Sequence, residues 1–350
     1  MSNFPLSYRL TWLPRFLRPS LRGDRQGFHA PPRRAPAKAA DAVRLVFTGD
    51  LSAVANRAAP LVDAELRSVF AQADLVVVNC ESPVVAKVHA PFGTLIGVRH
   101  AMSAAFLAEA LGAAAIEPRR AVLSLANNHA LDQGRRGLET SREAIAGLGA
   151  QAIGLAEHGR PPIVTAGGLA IAFDAFSRWY NAPREAFAAG IRTAPHPGEK
   201  RDRTRGESGG ADLHCVVPHW DWEFRHFPRA ETRAAARALA AGGARLVVGH
   251  HAHVVQPIEK VDDTLVAYGL GDFLGTAWAR TRWPLRIGAL LVVDVAASGR
   301  ERGRIASHAV VPFIRLRDGS RERLVPVEDL PHATRGKVAS RLDMVLGREH

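Results

Sequence analysis

The chain has 350 residues, 47% of them hydrophobic, with 46 basic against 34 acidic side chains for a formal net charge of +12. That size supports one large core with tails, no run of about 20 apolar residues exists to cross a bilayer as a helix, and two cysteines exclude a disulfide-stapled scaffold. No zinc finger, recognition helix or stacking-aromatic module accompanies the arginines, so a dedicated nucleic-acid binder is not expected and the basic balance better suits an anionic substrate or polymer.

Residues 1–40 hold eight basic side chains against the single acid Asp24, and six of the 22 prolines. Such a composition predicts a disordered or loosely attached arm, with Leu10 to Arg18 as a contact for a membrane surface or membrane-bound machinery. Pro14, Arg15 and Arg18 interrupt the only stretch resembling the apolar part of a signal peptide, and Cys80 and Cys215 read as packed thiols, so a cytoplasmic protein, peripheral at the inner membrane face, is expected.

Strand-like apolar runs follow at 43–48, 74–78, 121–125, 162–173, 212–217, 244–248, 264–268 and 288–294, and helical segments alternate with them over the first half, which predicts an α/β fold. Between 134 and 148, Leu138, Ile145 and Leu148 recur at helical spacing with charged residues on the other faces. An alanine-rich helix is expected over 228–241, stopped by Gly242-Gly243. The segment 196–210 reads as an exposed loop, and the stretch 317–350 as a peripheral tail.

Five of these runs end in polar clusters. They are Thr48-Gly49-Asp50, Asn79-Cys80-Glu81, Ala126-Asn127-Asn128-His129, Pro218-His219 and Gly249-His250-His251-Ala252-His253. Groups at the carboxyl ends of buried strands lie where open α/β folds place their sites. Carboxylate oxygen, amide oxygen and imidazole nitrogen together suit divalent Mn, Fe or Zn, and two such ions could share a bridging carboxylate. Within the last cluster, a spacing of two would put His251 and His253 on one side of an extended segment and turn His250 the other way.

The order and spacing of these motifs resemble the CapA-type proteins of poly-gamma-glutamate capsule biosynthesis, a branch of the calcineurin-like metallophosphoesterase superfamily. The likeness runs from about residue 43 to 275 and includes Leu125 to Gly134, His219-Trp220, Gly249 to Gln256 and Tyr268 to Phe273. It implies a four-layer α-β-β-α sandwich of two mixed sheets over residues 41–316. By the same resemblance Asp50, Glu81, Asn128, His219, His251 and His253 would hold two divalent metal ions, with Glu81 as the bridging acid. His129 would be catalytic, protonating the leaving oxygen, while Asn79 and Asn127 would contact substrate and a metal-activated water would be the nucleophile.

The chain departs from the pattern in three places, one of them Asp221 after His219-Trp220, where glycine is usual and where the segment to Phe224 adds acid and aromatic surface near the predicted site. Many calcineurin-like enzymes carry Asp-x-His on the first strand where this chain has Asp50-Leu51-Ser52, which leaves one imidazole missing, and Asp272 stands where asparagine is expected and would add charge near the metals or, the favoured reading, cap a turn. Gly49-Asp50-Leu51-Ser52 also looks superficially like the opening of an SGNH esterase, but Ser52 is displaced by one position and no late Asp-x-x-His supplies a base. The expected activity is a metal-dependent phosphoesterase-like hydrolysis linked to capsule or exopolymer synthesis. The competing expectation is a non-catalytic assembly factor that binds an anionic polymer or a partner protein.

Overall fold

A computed structural model describes residues 2–53, 58–86, 99–194, 210–274, 282–319 and 321–349. In chain order it runs α1 (Leu6–Leu17), β1 (Ala42–Leu51), β2 (Leu61–Val62), α2 (Ala64–Ala71), β3 (Leu75–Cys80), α3 (Ala104–Ala113), β4 (Ala121–Ser124), α4 (Gly134–Gly147) and β5 (Gln151–Ile153). Next come β6 (Ile163–Ala166), β7 (Leu169–Ser177), α5 (Arg184–Ala188), β8 (Leu213–His219), α6 (Ala230–Ala241), β9 (Leu246–Val248), β10 (Ile258–Val261) and β11 (Thr264–Ala267). The chain closes with β12 (Asp272–Leu274), β13 (Ile287–Ala296), β14 (Ile305–Asp318), β15 (Arg321–Pro326) and α7 (His332–Leu346).

The strands form two mixed sheets. The first has the order β2-β15-β14-β13-β1-β3-β4-β5, with β12 also pairing with β1, and the second has the order β10-β11-β9-β8-β7-β6. All ten residues of β1 and all six of β3 are buried, as strands covered on both faces must be, and this is why they appear in the sequence as unbroken apolar runs. Alternation does the same work in the second sheet: Cys215 and Val217 join the large core shared with the first sheet, while Val216 packs outward against Ala236 of α6. Leu66, Leu107, Leu138 and Ile145 bring α2, α3 and α4 onto the same large core, so the layers run α-β-β-α.

The run at 162–173 is two strands, because Gly167 and Gly168 adopt φ of +53° and +80° and turn β6 back antiparallel on β7. A Cβ on Gly167 would also lie 2.5 Å from Val43 Cγ2, so the turn packs tightly on β1. The segment 317–350 is no peripheral tail: β15 completes the sheet beside β14, and Val338, Leu342, Val345 and Leu346 bury one side of α7. Nor is the first arm loose. Tyr8 and Arg15 are buried, His29 forms a bridge to Ile258, and Arg33 pairs with Asp343 at 2.6 Å, because the aromatic residues among the arginines supply the apolar contacts that the overall composition conceals. The expected loop at 196–210 lies outside the described residues except for Gly210.

Candidate metal centre

The two sheets bring their strand ends together at one seam. Asp50 ends β1 in register with Asn79 on β3 and Asp272 on β12, and His219, at the end of β8, forms a bridge to His250 beyond β9. Two glycines permit this approach: a Cβ on Gly49 would fall 1.8 Å from the Gly271 carbonyl oxygen, and one on Gly249 would fall 2.1 Å from Trp220 Nε1.

Asp50, Glu81, Asn128, His219 and His251 are buried, and His253 lies partly buried at the same point. Glu81 Oε1 lies 3.8 Å from His219 Nε2 and 3.7 Å from His253 Nε2, and among the described residues neither carboxylate oxygen has a hydrogen-bond partner. Both ring nitrogens of His251 are likewise buried without a partner. Polar atoms are rarely left this way in a folded interior, and a cation would take up the Glu81 oxygens and one of the two His251 nitrogens. Glu81, His251 and His253 offer ligand atoms within 4.8 Å of one another, as do Asp50, His253 and Asp272, so each group has the donor types to hold a divalent ion; His253 belongs to both and His219 to neither.

The imidazoles converge differently from the sequence expectation. His251 and His253 have φ of +90° and +53°, so their rings meet, 6.0 Å between centroids, through left-handed kinks in a bent segment and not through strand alternation. His250 does turn away, with Nε2 3.0 Å from the Thr48 carbonyl oxygen. Burial, reinforced by neighbouring imidazoles, holds His219 well below the usual histidine range, and burial lowers His251 to about 3. Both are therefore neutral and able to ligate at neutral pH. Burial pushes Glu81 up to about 8, the direction expected of a carboxylate placed for a positive charge that is supplied from outside the chain.

His129 sits beside this group. Its Nδ1 lies 2.6 Å from Asp132 Oδ2, and although burial acts to lower its pKa, the Asp132 charge and hydrogen bond, with the Glu81 and Glu223 charges, together raise it. The ring stacks on His100 at 3.6 Å between centroids and 8° between planes. His100 Nδ1 in turn lies 3.3 Å from Ser52 Oγ, so an imidazole from a distant stretch of chain reaches the position where the first-strand histidine is missing.

Asn79 and Asn127 are spent on the protein itself. Asn79 Nδ2 donates to Asp50 Oδ1 at 2.7 Å, and Asn127 donates to the Cys80 carbonyl oxygen at 2.9 Å while accepting from the His129 N–H at 3.1 Å. They brace Asp50 and His129. Asn128 Oδ1 meets His219 Nε2 at 2.7 Å.

Sequence reasoning gave no role to Asp132, placed Glu223 only as acidic surface near the site, and favoured a turn cap over added charge for Asp272. Asp132 could have been found, since three residues after His129 is a turn's reach. Glu223 Oε1 lies 3.6 Å from His253 Nε2, and although burial acts to raise its pKa, bonding to His253 and nearby imidazole charge bring it down to about 2. It follows Asp221, whose φ of +62° begins an irregular turn that no periodicity announces. Asp272 faces the centre instead of capping a turn, with Oδ1 2.7 Å from His253 Nδ1 and Oδ2 accepting from Arg315 at 2.9 Å.

Comparison with known proteins agrees with the motifs. The chain is 31% identical over 175 residues to the PGA biosynthesis protein CapA of Bacillus subtilis (strain 168), covering 46% of this chain and 44% of that protein. It is 29% identical over 205 residues to the capsule biosynthesis protein CapA of Bacillus anthracis, covering 52% of this chain and 48% of that one. The chain thus matches about half the length of these curated relatives. Among solved structures, the 5'-nucleotidase from Candida albicans SC5314 is similar with a TM-score of 0.43 and 11% identity, over 81% of this chain and 52% of that chain. Because residues 39–277, more than half of the sequence, match the bacterial capsule synthesis protein family PGA_cap, the chain belongs to that family.

Proposed function

We propose that this protein is a metal-dependent phosphoester hydrolase serving capsule or poly-gamma-glutamate synthesis, with an anionic phosphoester or polymer as substrate. The observation that carries this reading is the buried Glu81 carboxylate, unpartnered at both oxygens and ringed by His219, His251 and His253. Asp50, Glu81, Asn128, His219, His251 and His253 would hold two divalent ions, with Asp272 and Glu223 adding negative charge beside His253. When bound, such ions supply Lewis-acid charge at phosphoryl oxygens and acidify water.

The chain's own residues do the rest. Asp132 holds His129 by Nδ1 and favours its protonated form, which leaves Nε2 to give a proton to the departing oxygen. His100 fixes the plane of that ring by stacking, and Asn127 fixes its backbone. The family relatives named for capsule and PGA biosynthesis support the process. The residue types support the chemistry.

Metal analysis by plasma mass spectrometry, after growth with manganese, iron and zinc and then dialysis, tests the reading. About two ions per chain, lost in His251→Ala, together with hydrolysis of a chromogenic phosphoester, is the expected result. A chain that holds no metal, or a loaded chain inert to mono- and diesters, overturns it and leaves polymer binding as the function.

A further inference from the structure

Helix α1 has two apolar faces. On the inner side, Phe4, just before the helix, stacks on His251 at 5.9 Å and on Trp179 at 5.0 Å between centroids. Trp12 donates its indole N–H to Glu223 and stacks on Phe16, while the buried Arg15 donates to the Glu223 carbonyl oxygen at 3.0 Å and lies over the rings of Tyr8 and Trp222. This side of the helix therefore covers two residues of the candidate centre, His251 and Glu223.

The outer side is different. Leu6, Leu10, Leu13 and Leu17 are 70%, 70%, 56% and 47% exposed. At the helical repeat the four fall within an arc of about 60°. A single exposed leucine is ordinary, but four aligned on one helix are not. Exposed Arg9 flanks the stripe on the helix, and exposed Arg18, Arg22 and Arg25 follow its end. Leucines bordered by guanidinium groups match the interface of an anionic bilayer, where the apolar face enters the acyl boundary and the cations meet lipid phosphates.

We propose that α1 is a lid with a membrane-binding outer face: its leucine stripe docks on anionic lipid, and docking draws Phe4 and Trp12 away from His251 and Glu223. Docking requires nothing of the metal centre, whereas the consequence for catalysis rests on the hydrolase reading above. Charge complementarity selects the lipid, since a stripe built only to pair with another apolar surface would gain nothing from its arginine borders.

The test uses the full metal-loaded chain with vesicles of phosphatidylcholine, with and without phosphatidylglycerol. We expect sedimentation with the anionic vesicles at least about tenfold above the neutral ones, weakened by salt. The double variant L10E/L13E, which changes only the outer face, should reduce it about tenfold or more while metal content stays unchanged. Hydrogen exchange of residues 219–224 and 250–253 should quicken on vesicle binding in the wild type. No sedimentation, sedimentation that L10E/L13E leaves intact, or exchange unchanged on binding each overturns the proposal. A chain that docks and opens but hydrolyses no phosphoester refutes the hydrolase reading and leaves the lid standing.

Discussion

The two sheets meet the candidate centre with different chemistry and different backbones. The first contributes mostly oxygen donors, Asp50, Glu81, Asn128 and Asp272, from strand ends whose side chains already hydrogen-bond one another, as Asn79 does to Asp50. The second contributes the imidazoles of His219, His251 and His253 from a segment with left-handed backbone at His251 and His253, where both ring nitrogens of His251 have no partner. The left-handed backbone therefore lies on the second side alone, while the unmet hydrogen-bonding capacity that a cation would relieve is split between His251 there and Glu81 on the first side.

If that contrast is right, removing a ligand from the second sheet has the largest effect. His251→Ala should lose most bound metal and lower phosphoesterase activity by more than about 10³-fold, since its neutral nitrogens have no other partner to organise them. Asn79→Ala, which removes a brace of Asp50 in the first sheet, should cost only about 10 to 100-fold in metal affinity, as outer-shell changes do. Metal titration of both variants checks the order, and the reverse order breaks the comparison.

His129→Ala ranks next, with turnover slowed about 10²- to 10⁴-fold and metal content retained, because its ring is held by Asp132 and His100 and bonds to none of the six ligands. His100→Ala should cost less, about tenfold in kcat with KM little changed, if stacking alone positions the ring. Steady-state kinetics beside metal analysis separates these outcomes from ligand loss.

These ranks also show what the sequence made legible. Strand ends that finish in Asp50, Glu81, His129, His219 and His251 could be found because buried strands are continuous apolar runs and the polar residue that stops each one stands out. His100, the inner face of α1 and the reach of Glu223 to His253 could not. Glu223 lies on an irregular turn, His100 reaches Ser52 across 48 positions of sequence, and the aromatic residues of α1 are interspersed with enough arginine and proline to look like solvent-exposed chain. The strand β15 and helix α7 were hidden for a related reason, since their charged exposed sides dilute a short buried stripe.

A smaller effect should appear in the chelator-treated chain. In the chelated chain Glu81 carries a pKa of about 8, raised by burial, against about 4.3 for an unfolded glutamate, so folding favours its protonated form and stability falls as pH rises from about 4.5 to 8. Burial lowers His253, but the Glu81 and Asp272 carboxylates outweigh it and raise its pKa well above the ordinary value, so its contribution is present below pH 6.5 and is also lost as pH rises. Glu81→Gln should then raise the melting temperature of the chelated chain at pH 8, by on the order of 2 kcal/mol in stability, while abolishing the stabilisation that metal gives the wild type. Thermal melts with and without chelator, across pH, would show whether the orphaned carboxylate is the strained element.

The smallest effect lies at the same seam but away from the metal residues, where His29, bridged to Ile258 of the second sheet, has Nε2 3.1 Å from Nε2 of His308 on β14 of the first. Burial lowers both pKa values, that of His308 to about 4 with help from His29. The unfolded chain takes up protons near pH 6.5 and the folded chain resists until about 4, so this contact loses stability as pH falls through that window, the opposite slope from the chelated centre. Because His308 is partly exposed, His308→Gln should flatten the acid limb of the melting curve by no more than about 1 kcal/mol and leave the limb above pH 7 unchanged. Seeing the two slopes separate, one with Glu81→Gln and the other with His308→Gln, would place the strain of the metal-free protein at the strand ends and not along the whole junction between the sheets.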